Sequence, residues 1–319
     1  MSDHTWEIER LTGSIGAELS GLDISHVDAA AADRLKALVS THGVIFLRGQ
    51  PTDPAVLVEL AAHFGSVLPA HPLKQGLPGR PEVLANQTGG VRPEDVRSRD
   101  IHNRHGTNWH LDCTFVREVP TYSLLQAARL PQTGGDTLFA DLAGAYSVLS
   151  EPLRTLAEGL SCTHDARLLY ADWLAPGADS VLRDRLLALP AISHPLVAVD
   201  QRADGRRSLV LNPNCVSTIE GLSDLEGRTL LDLFLHHALV PERTVRWRWA
   251  VGDIAVWDNV RLLHNYVLDH GGADRMIYRA LAGSAPLTGV TCKSREIASA
   301  PTHRPTDGGA HQDEILTDV

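Results

Sequence analysis

The stretch NWHLDCTF (residues 108–115) sets a histidine and an aspartate one residue apart in an apolar run that otherwise reads as a buried strand. Strand side chains alternate between faces, so on a strand His110 and Asp112 would reach one side together while Leu111 packs on the other. Far downstream, GDIAVWDNVRLLHNY (252–266) again runs apolar into a histidine, His264. Two imidazoles and one carboxylate, from HxD plus a distant His, are the ligand types of the 2-His-1-carboxylate facial triad, which holds ferrous iron and leaves positions open. Taken alone the signal is weak. The chain has 16 histidines, so HxD arises easily by chance, and a structural role for all three residues stands as the alternative.

Working outward, short strands recur between glycine turns: YSLLQAARL (122–130), DTLFADL (136–142), SLVLN (208–212), TVRWRWAVGDIAVWDN (244–259) and RMIYRALAG (275–283). Helical stretches at AYSVLSEPLRTLAEG and DLEGRTLLDLFLHHAL interrupt them, and a β-barrel decorated by helices is the simplest reading. The front is α/β. GAELSGLDIS (16–25) reads as an edge strand, AAAADRLKALVSTHG (29–43) as a helix stopped by Gly43, and VIFLRG (44–49) as a buried strand. DPAVLVELAAHFG (53–65) follows as a second helix opened by Pro54. Between about 66 and 108 the chain is rich in Pro, Gly and Arg, and a long mobile loop is expected there. The division expected is a single domain over 1–285 and a polar tail over 286–319.

Arg275 and Arg279 lie an even number of residues apart in RMIYRALAG. On one strand they share a face, and two guanidinium forks looking into a barrel mouth imply one or two buried anions. A pair of exposed charges is the alternative. Beside a metal triad, the inward reading is preferred.

Composition narrows the classes. Hydrophobic residues make up 43% and charged residues 21%, ordinary for a soluble globular chain. A net charge of −10 argues against a nucleic-acid or anionic-membrane surface, while leaving room for a local basic pocket. No apolar run is long enough to span a bilayer and no signal-peptide core is visible, so a cytoplasmic protein with no membrane partner is expected. The four cysteines are scattered without a CxxC pair and read as reduced thiols.

The ordered set GAELSGLDIS, GVIFLRGQ, NWHLDCTF, GGDTLFAD, VRWRW, GDIAVWDN and RMIYRALAG resembles the taurine and 2,4-dichlorophenoxyacetate dioxygenases, over roughly residues 8–285. The resemblance implies an α+β fold with a double-stranded β-helix core (jelly-roll, cupin-like) and flanking helices. It also implies Fe(II) as the metal, with 2-oxoglutarate and O2 as cosubstrates. By the same likeness His110, Asp112 and His264 match the iron ligands, and Arg275 and Thr137 match the pair that holds the distal carboxylate of 2-oxoglutarate. A fork donor and a hydroxyl can satisfy one carboxylate together. The implied reaction couples oxidative decarboxylation of 2-oxoglutarate, to succinate and CO2, to hydrogen abstraction from a substrate carbon. Related halogenases carry a small residue where Asp112 stands, so hydroxylation is the expected outcome. A homo-oligomer is implied by the habit of relatives.

For the substrate, Arg279 matches an arginine that grips a sulfonate and His71 a histidine that assists it. A small anionic substrate, carboxylate or sulfonate, follows. Ala166 and Cys215 stand where the taurine enzyme has aromatic walls, and Lys74 where it has a tyrosine. Cys113, directly after the aspartate, is grouped with them. Smaller walls suggest a substrate bulkier than taurine, and Lys74 a further polar contact. A tailoring oxygenase of an amino acid or natural product is the nearest rival. A zinc-dependent or noncatalytic cupin-like barrel is more remote, because it would give Thr137 and Arg275 nothing to bind.

Other residues read as structural. Trp109 is expected beneath the site, and Trp247, Trp249 and Trp257 alternating along a hairpin in the core. Asn108, Asn212 and Asn214 are equally compatible with pocket, turn or supporting roles. His236 and His237 fall late in a helix, and HNRHG (102–106) reads as loop surface.

Overall fold

The computed structural model describes residues 6–87 and 108–290 and the backbone of 295–296. The front of the chain supplies β1 (Glu7–Arg10), β2 (Ala17–Ser20), α1 (Ala29–His42), β3 (Val44–Leu47), α2 (Pro54–Phe64) and β4 (Leu84–Gln87). β5 (Glu118–Arg129) and β6 (Thr137–Asp141) lead into α3 (Leu142–Ser147), α4 (Glu151–Glu158), β7 (Ser161–His164), α5 (Ala166–Leu169) and α6 (Ser180–Ala188). Next come β8 (Ile192–Pro195), β9 (Val197–Asp200), β10 (Arg206–Leu209), β11 (Val216–Ile219) and α7 (Asp224–Ala238). The last strands are β12 (Thr244–Trp247), β13 (Ile254–Asp258), β14 (Leu262–Tyr266), β15 (Met276–Pro286) and β16 (Arg295–Glu296).

Local chemistry sets the helix ends. Asp28 caps α1 by accepting from the Ala31 N–H, and Gly43 closes it at φ +76 while donating to the Val39 carbonyl. A side chain at Gly43 would also press on Leu262 and Ile15, so glycine serves both the turn and the packing. Asp53 and Pro54 open α2 in the same economical way.

One large sheet runs β1-β2-β3-β13-β5-β15-β4, and a smaller one runs β12-β6-β14. A four-stranded sheet, β11-β7-β8-β16, and the pair β10-β9 extend the second layer. The central strands of the large sheet are buried on both faces, and their period-two pattern assigns each residue to a layer. Ile45, Leu47, Leu124, Ile254, Val256 and Ala280 face α1 and α2. Val44, Phe46, Leu125, Ala255, Trp257 and Ile277 face the small sheet, where Phe139, Val245, Trp247 and Leu262 meet them. This two-layer arrangement is the α+β double-stranded β-helix, and the interval between its sheets is where a site can open.

Four local expectations change. NWHLDCTF is not a strand: His110 makes a single bridge with His264, and the chain then turns, with Cys113 at φ +53. Trp247 and Trp257 do not share a hairpin, because β12 pairs with β6 while β13 pairs with β3 and β5. The turn between them carries the chain from one sheet to the other, and the three tryptophans meet in the core between the layers. β2 lies inside the large sheet, between β1 and β3, rather than at its edge. Past Ala285 the chain stays in the core for a few residues, since Leu287 is buried and Thr288 accepts from the Val199 N–H. The expected loop is described as far as β4; residues 88–107, with HNRHG, lie outside the described residues, as does 297–319.

Candidate active site

Two elements converge on the ligand set. β14 carries His264, the turn after His110 carries Asp112, and the two histidines exchange backbone hydrogen bonds of 3.0 and 2.9 Å, which sets their rings 4.1 Å apart. His110 Nδ1 lies 2.8 Å from the Asn108 carbonyl. A carbonyl accepts only, so Nδ1 carries the ring proton and Nε2 presents its lone pair. The ligand atoms of His110, Asp112 and His264 all lie within 4.8 Å of one another, a spread one ion with bonds of about 2 Å can gather. Burial, reinforced by His110, pushes His264 down to about 3, and burial lowers His110 as well. Both rings are therefore neutral and ready to ligate. Burial acts to raise the Asp112 carboxyl, but the Arg279 guanidinium, helped by the Ser123 hydrogen bond, outweighs it and holds the group well below the usual carboxylate range. An ionised carboxylate with two neutral imidazoles is the donor set a divalent iron requires.

Because Asp112 sits in a turn, its backbone lacks strand partners, and side chains replace them. The Asn259 amide accepts from the Asp112 N–H at 2.8 Å and donates to the Asp112 carbonyl at 3.0 Å. Asn212 donates to the Leu111 carbonyl at 2.9 Å and to the Thr114 hydroxyl at 2.7 Å. Ser123, fully buried on β5, donates to Asp112 Oδ2 at 2.8 Å. Arg279 pairs with Oδ1. Both the position and the rotation of the carboxylate are thereby fixed.

The candidate 2-oxoglutarate residues form a second group. Thr137 begins β6 and is buried; its Oγ1 accepts from Trp249 Nε1 at 2.9 Å, which leaves the hydroxyl proton free to point elsewhere. Arg275 donates Nε to the Gly135 carbonyl at 3.0 Å. Burial pushes Arg275 down to about 10, the mark of a guanidinium set in a site that wants an anion. The register of β15 shifts between Met276 and Ile277, so Arg275 precedes the strand rather than sharing a regular face with Arg279.

His110, Asp112, His264, Thr137, Arg275 and Arg279 all line one cavity of about 530 Å³. His71, Lys74, Cys113 and Cys215 line it too. Ala166 does not. It is buried in an apolar cluster with Leu73 and Leu186, and Leu168, Leu169 and Tyr170 line the cavity there instead. Cys113 and Cys215 are buried thiols, with Cys113 pushed up to about 12 by burial, so they contribute shape rather than nucleophilicity. Arg279 Nε is buried with no hydrogen-bond partner among the described residues, a donor in want of an acceptor.

The sequence matches the family described as "Taurine catabolism dioxygenase TauD, TfdA family" over residues 7–281. The chain belongs to this family. It is accordingly an Fe(II)- and 2-oxoglutarate-dependent dioxygenase with O2 as the oxidant, and the zinc-dependent and noncatalytic alternatives give way. Among relatives, it is 34% identical over 88% of its length to an alpha-ketoglutarate-dependent sulfate ester dioxygenase of Pseudomonas putida, of which the match covers 91%. It is 30% identical to an alkylsulfatase of Acinetobacter baylyi, with 89% of this chain and 87% of that one aligned. A taurine dioxygenase crystal structure from Burkholderia xenovorans superposes with a TM-score of 0.74 at 30% identity, covering 93% of this chain and 96% of that one. No helix among the described residues is long and apolar enough to cross a membrane.

Four residues of this TauD/TfdA-family site were not among the candidates read from sequence: Ser123, Asn259, Tyr170 and, as more than core, Trp249. Ser123 had a usable signal, since it is a polar break in the apolar strand YSLLQAA, the same kind of interruption that marks HLD.

Proposed function

We propose that the enzyme hydroxylates a small anionic organic substrate at the carbon next to its acidic group, with a sulfate ester or sulfonate bulkier than taurine as the leading class. The observation that carries this reading is a cavity with two buried arginines beside one metal triad. One arginine suffices for the distal carboxylate of 2-oxoglutarate, and Arg275, with Thr137 close to it in the fold, fits that role. Arg279, with His71, is then left for an anion of the substrate. Family relatives named for sulfate esters and alkyl sulfates favour this class over a tailoring reaction.

His110, Asp112 and His264 would hold the iron, whose chemistry with 2-oxoglutarate is O2 activation and hydrogen abstraction. The chain's own part is placement. Arg279 and the His71 side fix the acid group, so the adjacent C–H bond is presented to the metal face, and Leu168, Leu169 and Trp173 give the cavity an apolar wall for the rest of the substrate. For a sulfate ester the sum is R–CH2–OSO3⁻ plus 2-oxoglutarate and O2 giving R–CH(OH)–OSO3⁻, succinate and CO2. The C–O bond to sulfate then breaks, the hydroxyl proton is lost, and an aldehyde and sulfate leave. Four electrons reach O2, two from the substrate and two from 2-oxoglutarate.

The test is stoichiometry. With Fe(II), 2-oxoglutarate and hexyl sulfate or hexanesulfonate, one succinate should form per sulfate or sulfite released. Arg275→Ala should weaken 2-oxoglutarate binding at least tenfold, read from the anaerobic visible charge-transfer band. Succinate formation that no anionic substrate stimulates would refute the proposal.

A further inference from the structure

The ring of His71 is pinned in a way that decides which of its nitrogens carries a proton. His71 Nδ1 receives two backbone donors, the Leu73 N–H at 3.0 Å and the Lys74 N–H at 3.2 Å. A nitrogen that accepts cannot also carry hydrogen, so the neutral ring bears its single proton on Nε2. Burial, with Arg279 and Lys74 nearby, pushes the group down to about 3, in keeping with a neutral ring. Nε2 lies 2.8 Å from the Tyr170 hydroxyl. In that hydrogen bond, then, His71 donates and the Tyr170 oxygen accepts. The tyrosine keeps its own proton for another acceptor, and among the described residues its hydroxyl has no hydrogen-bond partner besides His71.

The Tyr170 ring is held on several sides. It stacks on Trp173 with centroids 4.4 Å apart, meets Phe115 edge-on at 6.2 Å and His71 edge-on at 5.8 Å, and lies beneath the Lys74 ammonium at 5.3 Å. The hydroxyl is therefore a fixed donor rather than a swinging one. Tyr170 lines the same cavity as Arg279, and the guanidinium is close enough to influence the ionisation of both Tyr170 and His71. Arg279 Nε, as noted, is itself a buried donor without a partner.

We infer that Tyr170 is the neutral donor to the substrate's acid group, its hydroxyl proton meeting the anion beside Arg279, and that His71 is a positioning residue acting through Tyr170. This rests on the anionic-substrate reading above and refines it. Donation from Nε2–H polarises the tyrosine oxygen and aims its proton into the cavity, so an oxyanion gains a hydroxyl donor already oriented for it. An acid group with several accepting oxygens, such as a sulfate or sulfonate, can engage Tyr170 and Arg279 at once.

Two measurements test this. The first is the His71 tautomer, read from imidazole 15N shifts in the metal-free protein; protonated Nε2 with an accepting Nδ1 is expected, and a proton on Nδ1 overturns the assignment. The second is the anaerobic Fe(II)–2-oxoglutarate band titrated with hexyl sulfate. Tyr170→Phe should weaken hexyl sulfate roughly tenfold or more, the loss of a hydrogen bond to a charged group, while the 2-oxoglutarate titration stays in place. His71→Ala should weaken it in the wild-type background and add little in Tyr170→Phe. His71→Gln should recover part of the loss, because its amide N–H can reach the position of Nε2. If His71 touches the anion directly, Tyr170→Phe frees Nε2–H, and binding is unchanged or tighter; that result overturns the assignment. A band that hexyl sulfate moves equally in wild type and Tyr170→Phe removes Tyr170 alone. A wild-type band that hexyl sulfate does not move removes both this inference and the substrate reading.

Discussion

Ser123→Ala isolates the orientation of the metal-binding carboxylate from everything else in the site. Ser123 stands on β5 opposite Trp257 of β13 and Leu281 of β15, so its backbone is paired on both sides and does not depend on the hydroxyl. That hydroxyl makes one contact that matters, the 2.8 Å donation to Asp112 Oδ2. Hydrogen bonds to charged groups contribute about 1.5–3 kcal/mol, and losing this one leaves a buried carboxylate oxygen short of a donor. The carboxylate still has Arg279, and Asn259 still holds its backbone, so the turn should stay in place while the side chain regains torsional freedom. Partners of metal ligands typically alter metal affinity by about 10–100-fold, and retention of Arg279 puts this case at the lower end, about tenfold. Calorimetric titration of metal-free wild type and variant with Co(II) reads that change, and thermal unfolding of the same samples checks the fold. Affinity unchanged within about twofold in a well-folded variant would show that the hydroxyl does not orient the ligand, and the reasoning would fail.

Three further outcomes follow from other parts of the site. Trp249→Phe removes the donor to Thr137 Oγ1 and frees that hydroxyl to rotate, so 2-oxoglutarate affinity should fall about fivefold, a net loss of about 1 kcal/mol, with Co(II) affinity unaltered. Gly135→Ala should weaken 2-oxoglutarate by at least that much, because Gly135 sits at φ +76 and an added Cβ would lie 3.0 Å from the Arg275 side chain; equal affinity would mean that Arg275 can move aside freely. Acidification should destabilise the metal-free protein. His71 and His194 are pushed by burial to about 3 and about 4 against roughly 6.5 in an unfolded chain, so the unfolded state binds more protons below 6.5. Stability therefore rises with pH between about 4 and 6.5, and passing from pH 7.5 to 5.5 should remove about 3 kcal/mol from these two groups; urea melts showing equal stability at the two values would contradict it.

What could be read in the sequence divides along a physical line. Strand side chains alternate, so Val44 to Leu47 and Ile254 to Trp257 announce themselves as strands buried on both faces, and helix caps such as Asp28 and Gly43 are local signals. The ligand triad was legible because a histidine and an aspartate inside an apolar run need a reason to be there. Its local geometry was not. Two-residue spacing suits a strand, yet the segment is a turn, since its backbone partners are the side-chain amides of Asn212 and Asn259, about a hundred or more residues away in sequence. Tyr170 illustrates the same limit: RLLYADWL offers nothing to separate it from an ordinary helical aromatic until the fold sets it against His71. Ala166, conversely, stood at a plausible alignment position and is buried in an apolar cluster without lining the cavity, because a residue's place in a short helical segment depends on which neighbour the helix packs against.

Holding the ligand turn by side-chain amides rather than by a strand has a consequence for how the site is built. A strand neighbour would fix every residue of NWHLDCTF equally and leave Cys113 unable to adopt its left-handed backbone. Asn259 instead takes the Asp112 N–H and carbonyl and also donates to the Pro120 carbonyl at 3.0 Å, while Asn212 takes the Leu111 carbonyl. The chain is thus free to bend immediately after the aspartate, bringing Cys113 and Phe115 to the cavity lining, where the Phe115 ring meets those of His71 and Tyr170. One turn then serves two tasks, holding the Asp112 carboxylate beside His264 of the small sheet and supplying Cys113 and Phe115 to the cavity lining. Changes in substrate size can be accommodated in α5 and the turn that follows it, where Leu168 to Trp173 line the cavity, without touching the amides that hold Asp112. That separation lets the residues from Leu168 to Trp173 vary without disturbing the amides that hold the Asp112 turn.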